Sequence, residues 1–325
     1  MKRAVVTGGA GFIGSHLVDA LVQRGSEVLV IDNLHGGRRE NLTSAMARGE
    51  GRVSLLELDI RDSNVKDEIV RFQPENVFHL GAQINVRVSV KEPTFDAMTN
   101  VVGTVNVLEA VVESKAKSFV FASTGGAIYG EQEHYPADED HLVRPECPYG
   151  VSKRASELYI EYFSRVAGFS GTALRFANVY GPRQNPKGEA GVVAIFAERI
   201  LAGKELVVNG SGEQTRDFVY VKDVVKAILR AEQHNTGGFS CFNVGTAKET
   251  SLLTLIDEMR GAWSRIKRPA DPEFSVVRHG PALPGEQLRS VIAADRIRNA
   301  FGWQPEVSLS QGIEETILSF RTDGA

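Results

Sequence analysis

Thr7-Gly8-Gly9-Ala10-Gly11-Phe12-Ile13-Gly14 follows a β-branched run at 4–7 and opens an amphipathic stretch at 13–24, which Gly25 closes. Gly8, Gly11 and Gly14 are spaced three apart. Glycine lets a backbone turn sharply and approach a pyrophosphate with no Cβ in the way. The helix that begins near Phe12 and Ile13 then aims its free N–H groups and its positive end at the phosphates. A second strand, 27–31, runs into Asp32-Asn33. A carboxylate at that point accepts hydrogen bonds from ribose hydroxyls and repels a 2′-phosphate, so the pattern predicts NAD rather than NADP. Arg38 and Arg39 nearby read as a solvated loop.

Outward from this turn, short β-branched runs alternate with longer amphipathic stretches, the pattern of a parallel sheet with crossover helices. Strands are predicted at 4–7, 27–31, 53–58, 76–80, 118–123 and 172–176, and helices at 13–24, 62–72, 94–114 and 149–167. Six such strands predict an α/β fold, a Rossmann doubly wound parallel sheet. Asp59-Ile60 follows the third strand and Leu80-Gly81-Ala82 the fourth. Both lie at strand C-terminal ends, where ligands bind in such sheets. Asp59 is placed to reach the adenine, and the small residues at 81 and 82 leave room for the nicotinamide half. After residue 176 a glycine- and proline-rich loop, 181–188, leads into helices expected at 192–202, 221–234 and 251–266, with strands at 205–208 and 241–244. The proline-rich segment 268–287 reads as loop. The chain therefore divides into a dinucleotide-binding domain, 1–176, and a smaller C-terminal α/β substrate lobe, 177–325, with segments interleaved.

Composition narrows the function classes. Over 325 residues the formal net charge is -4, so no basic field is available for nucleic acid. The start runs straight into a strand without the apolar stretch of a secretory signal, and no run of about 20 apolar residues offers a membrane span. Cys147 and Cys241 make no disulfide framework, and the seven histidines include no His-x3-His pair, so no metal site is expected. A reducing, cytoplasmic setting follows.

Pro148-Tyr149-Gly150-Val151-Ser152-Lys153 opens a helix and puts Tyr149 and Lys153 four apart, on one face. A free phenol ionises near about pH 10 and is a poor base at neutrality. A neighbouring ammonium and a positive nicotinamide ring both favour the phenolate. The fifth strand ends in Ser123-Thr124, which brings a hydroxyl to the same edge.

These residues resemble the extended short-chain dehydrogenase/reductase superfamily, and within it the nucleotide-sugar 4-epimerases of the UDP-glucose 4-epimerase type. The resemblance covers nearly the whole chain. It rests on the glycine turn, Asp32-Asn33, Asp59-Ile60, Asn100, Ser123-Thr124, Tyr129-Gly130, Tyr149-x3-Lys153 and Arg175-Phe176-Ala177-Asn178, then Arg216-Asp217-Phe218-Val219 and Pro284-Gly285-Glu286. It implies that Tyr149 removes the proton of the sugar 4-hydroxyl with help from Thr124, while Lys153 holds the nicotinamide ribose and tunes Tyr149. NAD would take the C4 hydride, leaving a 4-keto sugar that turns and is reduced on its other face. The resemblance further implies that Leu80, Ala82, Asn100, Ser123 and Phe176 line the cofactor with the glycine turn. Asn178 and Arg216 would grip the substrate pyrophosphate, Val192 and Asn209 lie near the uracil, Glu286 reaches the uridine ribose and Ser290 lies beside the sugar. The long stretches at 94–114 and 149–167 resemble the helices that family members pair into a homodimer.

Three positions depart from the family pattern. Ser123-Thr124-Gly125-Gly126 puts the catalytic hydroxyl on threonine. Leu283 stands where relatives often carry a phosphate-clamping arginine, a role left to Arg278 or Arg289. Ser290 replaces a bulky tyrosine, which predicts room for a 2-acetamido group and hence acceptance of UDP-GlcNAc. Gly125-Gly126 also removes the acid pair that a 4,6-dehydratase needs after its threonine. The alternatives are a UDP-glucuronate epimerase or decarboxylase, a simple oxidoreductase that releases NADH, and a non-catalytic NAD-binding regulatory protein.

Overall fold

The β-branched runs are buried on both sides, as strands covered by crossover helices must be. A computed structural model describes residues 2–187, 191–234, 237–282 and 287–322. Strands β1 (Arg3–Thr7), β2 (Glu27–Ile31), β3 (Val53–Leu56), β4 (Asn76–His79), β5 (Ser118–Thr124) and β6 (Ser170–Phe176) alternate with helices. These are α1 (Phe12–Gln23), α2 (Thr43–Gly49), α3 (Asn64–Phe72), α4 (Val86–Lys91), α5 (Pro93–Ala97), α6 (Gly103–Ser114), α7 (Gly125–Ile128) and α8 (Pro148–Ala167). Beyond them come β7 (Asn178–Tyr180), α9 (Val192–Leu201), β8 (Leu206–Asn209), β9 (Thr215–Arg216), β10 (Phe218–Tyr220), α10 (Val221–Gln233) and β11 (Gly238–Val244). The chain continues through β12 (Thr250–Ser251), α11 (Leu252–Ile266), β13 (Val277–Gly280), β14 (Arg289–Ser290), α12 (Asp295–Phe301) and α13 (Leu309–Thr322).

Seven strands form one parallel sheet in the order β11-β6-β5-β4-β1-β2-β3. Strand order reverses between β1 and β4, which opens a crevice at their C-terminal ends. Alternate residues feed two cores. Val6, Val30, Phe78, Val120 and Leu174 pack with α1 and α10, whereas Val5, Leu29, Val77, Phe119 and Ala173 pack with α3, α6 and α8. A third core, built from α9, β8, α11 and α13, lies in the C-terminal region around Phe196, Leu206, Trp263 and Ile313.

Six strands were expected in the main sheet, and β11 is the seventh. The strand expected at 241–244 begins at 238 and pairs along its full length with β6. The stretch read as one helix over 94–114 is α5, a π-helical turn at Met98–Val102, and α6. The segment 268–287, read as loop, contains β13, which pairs in parallel with β8. Among the described residues no helix is long and apolar enough to cross a membrane, and no cluster of candidate metal ligands occurs.

Candidate active site

The glycine turn sits at the crevice. Gly8 has φ +69°, and a Cβ there would come within 2.6 Å of Gly81 N; a Cβ on Gly14 would lie 2.1 Å from Gly8 O. Two loops and a helix start therefore meet at a density that only glycine permits. This is the cradle a pyrophosphate needs, and Gly11, as N-cap, leads Phe12 and Ile13 into α1. Asp32 follows β2 and accepts hydrogen bonds from Ala10 N (2.9 Å) and Leu34 N (2.8 Å). Burial pushes its pKa up, against the backbone donors that favour the charged form. The carboxylate is thus locked beside the turn. Asn33 donates to Asp59 Oδ2 at 2.9 Å, and Arg61 binds both oxygens of Asp59. That clasp holds the Asp59 carboxyl down to about 2. Ile60 packs beneath Gly81 and Gly103, where added Cβ atoms would meet it at 3.3 and 2.8 Å. The residues present fit a dinucleotide with an unphosphorylated ribose. Arg39, the nearest alternative, pairs with Glu57 at 3.0 Å.

Helix α8 begins with Pro148 in its first turn and carries Tyr149 and Lys153 one turn apart, with Lys153 reaching Ala122 and Phe121 on β5. Lys153 is 3% exposed; its Nζ donates to Ala122 O at 2.9 Å and lies 4.6 Å from the Phe121 ring centre and 5.8 Å from that of Tyr149. Burial lowers its pKa to about 8, and Asp96 and Glu157 oppose that fall. Thr124 ends β5 half-buried, and its Oγ1 accepts from Ala127 N at 3.2 Å as the N-cap of α7, leaving its proton available. Ser123 is turned the other way, donating to Glu157 Oε1 at 2.7 Å. Its side chain holds β5 to α8, so only its backbone can serve a ligand in the cleft.

Asn100 lies in the π-helical turn. Its Oδ1 accepts from Gln83 N at 2.8 Å and its Nδ2 donates to Gln83 O at 2.8 Å, which fixes the loop after Leu80 and Ala82. Its carbonyl accepts from Thr104 Oγ1 and Ser156 Oγ. Phe176 is buried at the end of β6. Asn178 is exposed just beyond it, and a Cβ on Gly126 would stand 4.0 Å from its Oδ1. Arg216 on β9 is in register with Ser290 on β14, which is buried, and Arg216 NH1 donates to Thr215 O at 2.8 Å. Val192 opens α9 and Asn209 ends β8, two elements that share the third core. Glu286 and Leu283 lie outside the described residues. Arg289 is bound bidentately to Glu249 and stacks 3.7 Å over Tyr135; Arg278 is exposed on β13.

Three buried polar residues at this site carried no motif. His79 bonds Thr7 Oγ1 (2.6 Å) and Thr104 Oγ1 (3.0 Å). Asp96 accepts from Ser152, Gln83 and Asn100. Glu157 holds Ser123, Arg154 and Arg175. Glu157 continues the 149, 153 series by one more helical step, a signal available in the sequence; the other two had none.

The family model for the NAD dependent epimerase/dehydratase family matches residues 4–245. A UDP-glucose 4-epimerase of Mycolicibacterium smegmatis is 44% identical over 319 residues, covering 98% of each chain. The crystal structure of a UDP-glucose 4-epimerase from Thermotoga maritima with UDP-glucose superposes with a TM-score of 0.90 at 41% identity, over 99% of this chain and 100% of the other. That of a Thermus thermophilus UDP-glucose 4-epimerase with NAD gives 0.86 at 40% identity, over 98% and 99%.

Proposed function

The chain belongs to the NAD dependent epimerase/dehydratase family, and from that premise we propose that it interconverts the C4 epimers UDP-glucose and UDP-galactose, with NAD retained through each turnover. The observation that carries this reading is the buried Lys153 ammonium, which bonds Ala122 O two residues before Thr124 at the end of β5 and lies 5.8 Å from the Tyr149 ring centre.

Tyr149 takes the proton of the sugar 4-hydroxyl, and the Thr124 hydroxyl bonds the same oxygen. Lys153 favours the phenolate by its charge. NAD, when bound, supplies the acceptor and then the donor of the C4 hydride, so that a 4-keto sugar stands between the two transfers. Gly8, Gly11, Phe12, Ile13 and Gly14 hold the pyrophosphate of the cofactor, Asp32 its adenosine ribose, and Asn33, Asp59 and Ile60 the adenine side. Leu80, Ala82, Asn100, Ser123 and Phe176 border the nicotinamide side, Ser123 through its backbone. Asn178 and Arg216 bind the substrate pyrophosphate, where a planar cationic fork suits phosphate oxygens. Val192 and Asn209 border the uracil and Glu286 the uridine ribose. The small Ser290 leaves space for a 2-acetamido group, so UDP-GlcNAc is a second substrate.

We assign 1–176 to cofactor and 177–325 to nucleotide-sugar binding, with β11 returning to the first unit's sheet. The protein is a homodimer joined through α6 and α8; α8 exposes Val151, Leu158, Tyr159, Tyr162 and Val166, and α6 adds Val112. It works in the cytoplasm; both cysteines are free, as a reducing compartment keeps them.

NMR of the mixtures formed from UDP-galactose, UDP-GlcNAc and UDP-glucuronate, without added cofactor, tests the assignment. The first two reach equilibrium with their C4 epimers and the third is unchanged. Tyr149→Phe keeps NAD and loses about a thousandfold or more in kcat, the upper part of what general-base catalysis contributes. Wild-type turnover by that variant removes Tyr149 from the role of base.

A further inference from the structure

Asp96 is 0% exposed on α5. It accepts from Ser152 Oγ at 2.6 Å, Gln83 Nε2 at 2.7 Å and Asn100 Nδ2 at 3.0 Å. Ser152 immediately precedes Lys153 in α8, Gln83 belongs to the loop after β4, and Asn100 is the centre of the π-helical turn. One carboxyl group therefore ties together three segments that border the nicotinamide side of the cleft. Ser156 repeats the tie one helical turn later, donating to Asn100 O at 2.8 Å.

Charge distinguishes Asp96 from its neighbours. Lys153 is surrounded by Tyr149 and Glu157 from its own helix, Asp96 from α5, His79 from β4, the uncharged Phe121 from β5, and Arg175 from β6, which is bound to Glu157. Glu157 is clasped by two nitrogens of Arg175 and one of Arg154, so its charge is largely cancelled. His79 is neutral, its pKa lowered to about 3 by burial. The donors to Asp96 are all uncharged. It is the one uncompensated carboxylate facing the buried ammonium among the described residues, and opposite charges in a dry interior act over longer distances than in water.

We propose that Asp96 is the positioning residue of the Tyr149–Lys153 pair, fixing the first turns of α8 through Ser152 and keeping Lys153 charged from across the helix boundary. The inference rests on the reading of Tyr149 and Lys153 given above. It separates into a bond and a charge. Asp96→Asn preserves the bonds: Oδ1 still accepts from Gln83 and Asn100, and Nδ2 donates to Ser152 Oγ, which can accept. Only the charge is lost. Ser152→Ala leaves the charge and breaks the tie.

In the NAD-loaded enzyme, Asp96→Asn moves the alkaline limb of the kcat profile to lower pH by about one unit, the size expected when a nearby opposite charge is removed, with KM for the UDP-sugar unchanged. Ser152→Ala lowers kcat about tenfold at every pH, without moving the limb. An Asp96→Asn profile superimposable on that of the wild type overturns the proposal. Should Asp96→Asn fail to fold, Ser152→Ala decides: kcat equal to wild type overturns the proposal, and a tenfold loss at constant KM supports it. Tyr149→Phe keeps the two readings apart. Normal turnover by that variant removes the premise, whereas an inactive Tyr149→Phe beside an unmoved Asp96→Asn removes only the role given to Asp96.

Discussion

His79 shows how far a single side chain's chemistry can be derived from its partners. Gly81 N donates to Thr7 Oγ1 at 3.1 Å, so the Thr7 hydroxyl proton is free to go to His79 Nδ1. Thr104 Oγ1 donates to Asn100 O at 2.6 Å, so it accepts from His79 Nε2. The tautomer is therefore Nε2–H, and no acceptor is left for a second proton. Burial agrees with that count and lowers the pKa to about 3. In the unfolded chain the imidazole binds a proton below about pH 6.5. Between there and 3 the unfolded state holds the extra proton, so stability falls as pH falls through that window, by at most about 1.4 kcal/mol per pH unit from this group. Thermal melts taken from pH 7 to pH 4 should show that slope. His79→Gln should lower the midpoint at pH 7 and flatten the slope; an unchanged slope would assign the acid sensitivity elsewhere. The places of Lys153 one turn after Tyr149 on α8 and of Asp32 at the end of β2 were legible in the sequence because local spacing and strand ends fix them. His79 and Asp96 were not, because their partners arrive from segments distant in sequence.

At the scale of elements, legibility followed length and periodicity. The glycine turn, α1, β2 and α8 lie within a residue or so of where their patterns put them. The break at Met98–Val102 was not legible because a π-helical turn is a single-residue insertion inside an otherwise continuous helical stretch, with no glycine or proline within it to mark it. Within that turn the Asn100 carbonyl accepts from Thr104 and Ser156, contacts that periodicity does not record. Strands of two or three residues, such as β9 and β14, have no period to read, and β13 exists because β8 lies beside it. The glycine turn is where element geometry is most restrictive. Gly14→Ala places a Cβ 2.1 Å from Gly8 O and 2.8 Å from Gly9 Cα, both backbone atoms, so the start of α1 must move. Overpacking of this kind costs about 1–3 kcal/mol. The variant should melt lower and purify with less than about a tenth of its NAD, because the moved N–H groups no longer meet the pyrophosphate. Gly36→Ala, whose Cβ meets nothing within 4 Å, is the control and should match wild type in both measurements.

For the molecule as a whole, the two sides of α8 have different tasks. Inward, Lys153 and Glu157 are buried, and a chain of hydrogen bonds runs from Glu157 through Arg175 and Tyr129 to Asn243 on β11, at the edge of the sheet. Outward, Val151, Leu158, Tyr159, Tyr162 and Val166 are exposed at helical spacing, Leu158 by 50% and Val166 by 67%. The neighbouring π-helical turn and α6 add Met98, Val102 and Val112, also exposed. Apolar stripes on adjacent helices are what a two-fold interface buries, since each copy presents the same patch to the other. A pair of α6–α8 faces closing in this way makes a four-helix seam. Leu158→Glu with Tyr162→Glu places two carboxylates at its centre, where like charges meet across the two-fold axis and lose their water. Light scattering should then give a mass near 35.4 kDa for the double variant and twice that for the wild type. A wild-type mass that stays doubled in the variant would put the interface on another face, and a wild-type mass of one chain would leave the stripe without the partner assigned to it. Because the proposed seam and the Tyr149–Lys153 pair share α8, the monomeric variant should also lose kcat, with its NAD content unchanged.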